Sequence, residues 1–214
     1  MIDLYTSVSP NGHKVAIMLE ECGLDYKPHF LEMFKGEAST ESHLKRNPLG
    51  KIPVIVDHSP AQGDQPFTLF ESGAILQYLA DKTGKFLQKE PVSRAKTIQW
   101  LYTVNTGLAM ASLNRFVFSK LMKEPNPQAI EKFTEDFHRY LKVYESVLAE
   151  NDYLNGEYSI ADIALYAWLK MEARINYDQF TQYPSLVKFM TQIDQRPAAQ
   201  KGMISPEILA SSAT

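Results

Sequence analysis

Every β-strand signal in this chain lies ahead of Glu71, and from about Glu90 onward apolar residues recur only at helical spacing. Such a chain divides into a mixed α/β unit followed by an all-α unit. In the first unit, Ile2 and Leu4 open an apolar strand that runs into small polar residues and then Pro10. Proline suits a first helical position, where its missing N–H removes no bond, and Ser9 before it is a natural N-cap. Val15, Met18, Leu19 and Cys22 then follow helical spacing to a stop at Gly23. Tyr26 to Phe34 reads as extended, and Lys35 to Arg46 leaves room for a short irregular helix. Val54-Ile55-Val56 is β-branched throughout, a strand with Pro53 at its first position. The turn-rich stretch His58 to Gln65 leads to Phe67–Phe70 as its antiparallel partner. Glu71 to Leu79 is helical and ends near Gly84. The order is βαβ, then ββα.

The second unit begins beyond a linker over residues 85–89, giving expected domains of 1–84 and 90–214. One helix spans Ser93–Leu121, with a kink near Gly107, and Pro125 and Pro127 end it. A second long helix runs from about Ala129 to Glu150. Ser159-Ile160-Ala161-Asp162 is a capping box with Asp in the place more often held by Glu or Gln. The helix that it opens, to about Arg174, is apolar on most sides and therefore central. Pro184 and Pro197 bracket a last helix, and the small polar tail after Pro206 is expected to fray.

Charge and cysteine usage narrow the function. The net charge is −3, and neither half is basic, which argues against nucleic acid as a partner. A single cysteine, Cys22, rules out an intrachain disulfide framework and a multi-cysteine metal site. No basic leader followed by an apolar core opens the sequence, and no apolar run is long enough to span a bilayer, so the expected address is cytoplasmic with no membrane partner. What remains distinctive is the helix start at Ser9-Pro10-Asn11. It offers free backbone N–H groups beside a hydroxyl and a carboxamide, an arrangement that favours an anion.

Three further motifs suggest which anion. Asn47-Pro48-Leu49-Gly50-Lys51-Ile52-Pro53 resembles the loop that enters the cis-proline of the cytosolic glutathione transferases. Phe70-Glu71-Ser72-Gly73-Ala74-Ile75 resembles that family's strand-to-helix motif, and Ser159–Asp162 its capping box in the second domain. Their order and separation match, and the likeness covers nearly the whole chain. The implied architecture is the glutathione transferase fold, α/β plus all-α: a thioredoxin-like N-terminal domain followed by an all-helical C-terminal domain. Ser9-Pro10-Asn11-Gly12-His13-Lys14 and Val56-Asp57-His58-Ser59-Pro60-Ala61 most resemble the bacterial nu class and the related fungal nitrogen-regulator branch. In the first of these motifs Ser9 stands for a threonine and keeps the hydroxyl.

The resemblance implies a glutathione-dependent disulfide-bond reductase, with glutathione as co-substrate, no metal, a small disulfide or electrophile as second substrate, and a homodimer. Asn11 and Ser9 would stabilise the glutathione thiolate. A free thiol ionises near pH 8.5, and lowering that by two units takes about 2.7 kcal/mol. A helix N-terminus supplies about 0.3–2 kcal/mol and a hydrogen bond to a charged acceptor about 1.5–3 kcal/mol, which together suffice. The ordinary alternative is that Ser9 only caps the helix and Asn11 only turns the chain. Lys51 would neutralise the glycine carboxylate, unless it is a solvated surface lysine. Val54 would pair its backbone with the cysteinyl portion, with Pro53 cis; a trans proline at a strand start is the alternative. Glu71 and Ser72 would hold the γ-glutamyl ammonium and carboxylate, or else serve as first-turn caps.

Two positions depart from the nu-class pattern. Its glutathione-touching glutamine has no counterpart in Gly36-Glu37-Ala38-Ser39. Its arginine toward a second glutathione is replaced by Lys132, which keeps the charge and loses the bidentate fork. One or two glutathiones per site both remain open. Trp100, Tyr102, Asn105 and Arg115 either line an acceptor site or pack in the core. Tyr5 is a rival thiol activator whose place in a strand favours packing. Cys22 lies at the far end of the first helix and is read as a buried apolar side chain. Conjugation of electrophiles, reduction of organic hydroperoxides and a non-catalytic glutathione-binding regulatory role are the competing functions.

Overall fold

The structure, a computed structural model, describes residues 1–60 and 63–204. Ala61, the last residue of one resemblance motif, and the tail after Pro206 lie outside the described residues. Contacts group Met1–Leu87 with the described residues from Asp194 onward into one compact unit, and Gln88–Ile193 into a second.

The first unit is built on a four-stranded sheet in the order β2-β1-β3-β4. β1 (Ile2–Thr6) runs parallel to β2 (Tyr26–Phe30) and antiparallel to β3 (Val54–Asp57), and β3 pairs antiparallel with β4 (Phe67–Phe70). The parallel pair needs a crossover, which α1 (Pro10–Cys22) supplies. Alternation sorts the faces of β1: Ile2, Leu4 and Thr6 are buried while Asp3 and Tyr5 are half-exposed. β3 has a neighbour on each side, and Val54 and Ile55 are completely buried. Between β2 and β3 the backbone makes two 3-10 turns, Met33–Lys35 and Glu37–Ser39, and the short α2 (Glu41–Leu44). The Ile52–Pro53 bond is cis, as the resemblance implied. α3 (Ser72–Thr83) packs beside α1.

The chain returns to this unit at its end. Where the proline spacing suggests a single last helix, the structure has two, α8 (Pro184–Asp194) and α9 (Pro197–Gly202). α9 lies against α1. Arg196 forms a bidentate pair with Glu21 at 2.6 and 2.8 Å, Lys201 meets Glu20 at 2.9 Å, and the Gly202 carbonyl accepts from the buried His13 Nδ1–H at 3.1 Å. Glycine is needed at 202, because a Cβ there would stand 2.5 Å from the Ile17 backbone.

In the second unit, α4 (Pro91–Tyr102) and α5 (Ala109–Phe116) form one continuous rod. A π-helical turn at Thr103–Leu108 joins them, and another follows at Val117–Leu121. The predicted irregularity at Gly107 is therefore a π turn, and an added Cβ at Gly107 would collide with the Tyr140 ring. α6 (Pro127–Glu150) buries Phe137, Leu141, Tyr144 and Leu148 on one stripe. α7 (Ile160–Ile175) is buried from Ile160 through Leu169, as its all-round apolar sequence requires. Among the described residues no helix is long and apolar enough to cross a membrane.

Candidate functional site

The candidate site belongs to the first unit and starts at the first turn of α1. Ser9 is extended (φ −160°, ψ 155°), and its Oγ accepts from the Gly12 N–H at 3.0 Å. That bond uses an acceptor lone pair and leaves the Ser9 O–H proton available to donate. No acidic residue occupies the first turn, so the positive end of the helix dipole is not neutralised from within. Gly12 is required by packing, since a Cβ there would meet the Thr6 hydroxyl and approach the Ser7 carbonyl oxygen to 2.7 Å. The helix start is thereby pressed against the end of β1.

Asn11, half-buried, joins two elements. Its carbonyl oxygen accepts from Lys14 Nζ at 2.8 Å and from the Ser72 hydroxyl at 3.4 Å. Ser72 is the buried first residue of α3, so the starts of α1 and α3 meet at one amide oxygen. Lys14 is completely buried. Burial pulls its pKa down to about 7, with the negative charge of Glu71 acting in the opposite direction. Glu71 has φ 71° and ψ 111°, a positive-φ conformation unusual for a residue with a Cβ. Strained backbone of this kind concentrates at binding sites.

Lys51 is exposed, and its carbonyl oxygen accepts from Asn47 Nδ2 at 2.9 Å and His43 Nε2 at 3.0 Å. These bonds anchor the loop directly ahead of Pro53. Val54 opens β3 opposite Tyr5 on one side and Phe70 on the other. Neither His43 nor Lys14 carries a sequence signal for a role, and Asn47 enters only through the loop motif. A buried lysine leaves no mark in sequence, whereas Asn ahead of Pro-x-Gly is a readable loop-anchoring signal.

The remaining candidates are placed as follows. Tyr5 packs between neighbours, stacked on the His29 ring at 4.6 Å with the Arg46 guanidinium 4.2 Å from its ring centre. Cys22 is buried beside Thr83, and burial raises its thiol pKa, the reverse of what a nucleophile needs. Lys132, in the second unit, is exposed on α6 and paired with Asp136 at 2.8 and 2.9 Å. Arg115 turns toward the interior of that unit, 4.3 Å from the Phe137 ring centre and 3.7 Å from Glu172. Trp100 packs against Tyr144 at 6.0 Å, Asn105 sits half-buried within the first π turn, and Tyr102 is exposed. For Arg115 and Trp100 these placements agree with the packing alternative.

Comparison with known proteins bears directly on this geometry. Residues 1–81 match the model of the glutathione S-transferase N-terminal domain, and residues 108–197 match that of the C-terminal domain. The chain is 40% identical over 209 residues to the disulfide-bond oxidoreductase YfcG of Escherichia coli, covering 97% of each chain. A glutathione transferase from Burkholderia graminis, solved with two glutathione molecules per subunit, superposes with a TM-score of 0.88 at 33% identity, covering 96% of this chain and 88% of that one. One from Pseudomonas putida, with one glutathione disulfide per subunit, gives a TM-score of 0.87 at 33% identity, covering 95% and 90%.

Proposed function

The chain belongs to the glutathione S-transferase family, and from that premise we propose that Asn11 and Ser9 make it a glutathione-dependent disulfide-bond oxidoreductase. The observation that carries the site assignment is the Asn11 amide. Its oxygen is held by Lys14 and Ser72 at the uncompensated start of α1, which leaves its N–H₂ as a donor for a sulfur anion.

In this reading the Asn11 N–H and the Ser9 O–H donate to the glutathione thiolate, assisted by the helix dipole. Lys51 pairs with the glycine carboxylate. The backbone role that the resemblance implied for Val54 does not hold, because Val54 is completely buried between β1 and β4 and has no surface to offer the cysteinyl portion. The Ser72 backbone N–H meets the γ-glutamyl carboxylate at the α3 N-terminus, its hydroxyl being directed to Asn11, and Glu71 meets the ammonium. The thiolate attacks one sulfur of a small disulfide, the S–S bond breaks, and the departing thiolate takes up a proton. A second glutathione thiolate attacks the glutathione sulfur of the mixed disulfide, producing glutathione disulfide and the second thiol. Lys132 is proposed to face that second glutathione. Its pair with Asp136 is exposed, so little opposes its release. The two glutathiones bound by the Burkholderia graminis protein support a two-glutathione cycle.

The same proposal takes residues 1–84 as the glutathione-binding domain, 90–214 as the helical domain, and the working protein as a nu-class homodimer of the cytoplasm that uses no metal. The Ser-Pro-Asn-Gly-His-Lys motif supports the class and, with it, the dimer. Sedimentation at micromolar concentration should show a dimer, and a monomer would contradict that part.

The decisive test is turnover with a small mixed disulfide. Asn11→Ala should lower it by about one to two orders of magnitude, about 1.4–2.7 kcal/mol in the barrier. Full activity in that variant would remove Asn11 from the mechanism. Parallel assays with a chloronitroarene and a hydroperoxide should give lower rates than the disulfide; a higher rate with either would reassign the second substrate.

A further inference from the structure

Lys14 occupies space that an aliphatic side chain of similar length could fill without desolvating an ammonium group. Its bond shows what the charge does there. An ammonium group has three donors and no acceptor. While Lys14 carries its proton, which the negative charge of Glu71 favours, the end of the Asn11 carboxamide that lies 2.8 Å from its Nζ must therefore be the oxygen. The two ends of a carboxamide are nearly the same size, so sterics alone do not choose between them. The choice decides function, because only the N–H₂ end can donate to a thiolate. The reversed amide would turn an oxygen lone pair toward the sulfur anion. Ser72 Oγ at 3.4 Å is too long a contact, and too ambivalent a group, to set the orientation alone, since a hydroxyl accepts as readily as it donates.

We propose that Lys14 is a positioning residue of the glutathione site: its buried ammonium holds Asn11 by the carbonyl oxygen and keeps the amide N–H₂ presented to the thiolate. Donation to the oxygen also polarises the amide and makes its N–H₂ a stronger donor. Glu71, whose negative charge favours the ionised lysine, contributes from the start of α3. The inference rests on the assignment of Asn11 as the thiolate-stabilising group.

The test reads the thiol directly. Thiolate absorbs in the ultraviolet and thiol does not, so a pH titration of the enzyme–glutathione complex gives the pKa of the bound thiol. It is run on the wild type, Asn11→Ala, Lys14→Met and the double variant. Lys14→Met should raise that pKa by about 0.5–1 unit and lower disulfide turnover about 3–10-fold, while KM for glutathione changes less than about 3-fold. In the Asn11→Ala background the same substitution should move the thiol pKa by less than about 0.2 unit, because Lys14 then has no amide to orient. A purely structural lysine would produce additive losses and leave the thiol pKa alone.

If Asn11→Ala keeps the wild-type thiol pKa, the assignment of Asn11 falls and this inference with it. If Asn11→Ala raises the pKa while Lys14→Met does not, or the two shifts add in full, only the role of Lys14 is overturned. Should Lys14→Met fail to fold, Lys14→Gln serves instead. Its own amide can offer Asn11 an acceptor as well as a donor, so the thiol pKa should again rise, and a wild-type value would overturn the role.

Discussion

Two helices in this molecule begin with a serine cap, and they use it in opposite ways. At the start of α7, Asp162 Oδ2 accepts from both the N–H and the O–H of Ser159, at 2.9 and 2.7 Å, and its Oδ1 accepts from the Leu154 N–H at 2.8 Å. Ser159 Oγ in turn accepts from the Ala161 N–H at 3.3 Å. Both side chains are completely buried, and an acid in the first turn answers the helix dipole. At the start of α1, Ser9 accepts one backbone bond, no acid follows, and Lys14 and Ser72 donate to the oxygen of Asn11. The first terminus is satisfied from within and holds the helical unit together. The second has no acid in its first turn, and the proposed thiolate site relies on that difference.

The contrast breaks most visibly at Asp162. Asp162→Ala leaves the Ser159 N–H and O–H and the Leu154 N–H without their acceptor, and should destabilise the protein by about 3–5 kcal/mol. Urea denaturation measures this, and a loss below about 1 kcal/mol would show that the box is dispensable. Asn11→Ala should weigh the other way: turnover falls strongly, while the stability loss, about 1–3 kcal/mol because the buried Lys14 ammonium loses an acceptor, stays below that at Asp162. A stability loss there larger than that at Asp162 would make Asn11 a structural residue and erase the contrast.

Smaller effects sharpen the comparison. Gly12→Ala forces a Cβ against the Ser7 carbonyl and should cost about 1–3 kcal/mol. Turnover should fall as well, since the start of α1 must shift, and unchanged turnover would mean that its docking on β1 does not place the site. Ser9→Ala should cost about 1 kcal/mol of stability through the lost cap. It should also slow turnover several-fold, less than Asn11→Ala; a larger loss would make Ser9 the main thiolate donor.

Two buried carboxyls supply the pH test. Burial outweighs the hydrogen bonds at Asp162 and raises its pKa to about 6, above the unfolded value near 3.9. The folded state then holds the proton more tightly, so the protonation-linked part of the Asp162 contribution is full below about pH 4 and is lost as pH rises through about 6, while its hydrogen bonds to Ser159 and Leu154 remain. Asp57 is also desolvated, but Lys82, Tyr78 and the Ser59 N–H together bring it below the usual carboxyl range. Its contribution is present above about pH 4 and is lost on further acidification. Carboxyl NMR of the folded protein should therefore show Asp162 titrating well above Asp57, and the opposite order would reverse both signs.

Local signals carried much of the fold. Pro10 behind Ser9, Gly23 in the left-handed conformation at the end of α1, and the Ser159–Asp162 box all fall where the residues say they should. Each depends on residues within one turn of one another, so sequence order already contains the geometry. The β-branched run at Val54 and the helix-only pattern after Glu90 likewise placed the strands and the helical unit. The resemblance motifs named glutathione, which helix capping alone could not, since a capped N-terminus would equally accept a phosphate or a carboxylate.

Other features had no sequence signature. Lys14 reads as an ordinary charged residue on an amphipathic helix, and only the packing of α1 against its neighbours buries it completely beside Asn11 and Glu71. Arg115 sits where a polar helix face is expected, yet its guanidinium is taken up by Phe137 and Glu172. The last described helix, α9, returns to α1 through Gly202, His13 and two ion pairs that join residues more than 170 positions apart. Spacing rules reach about one helical turn, and burial is decided by whichever distant element covers a side chain. The sequence alone therefore determined how the capped helices begin and that the first of them suits an anion. Tertiary structure decided which charges are desolvated, because burial depends on distant elements, and it set the buried Lys14 side chain beside the Asn11 oxygen.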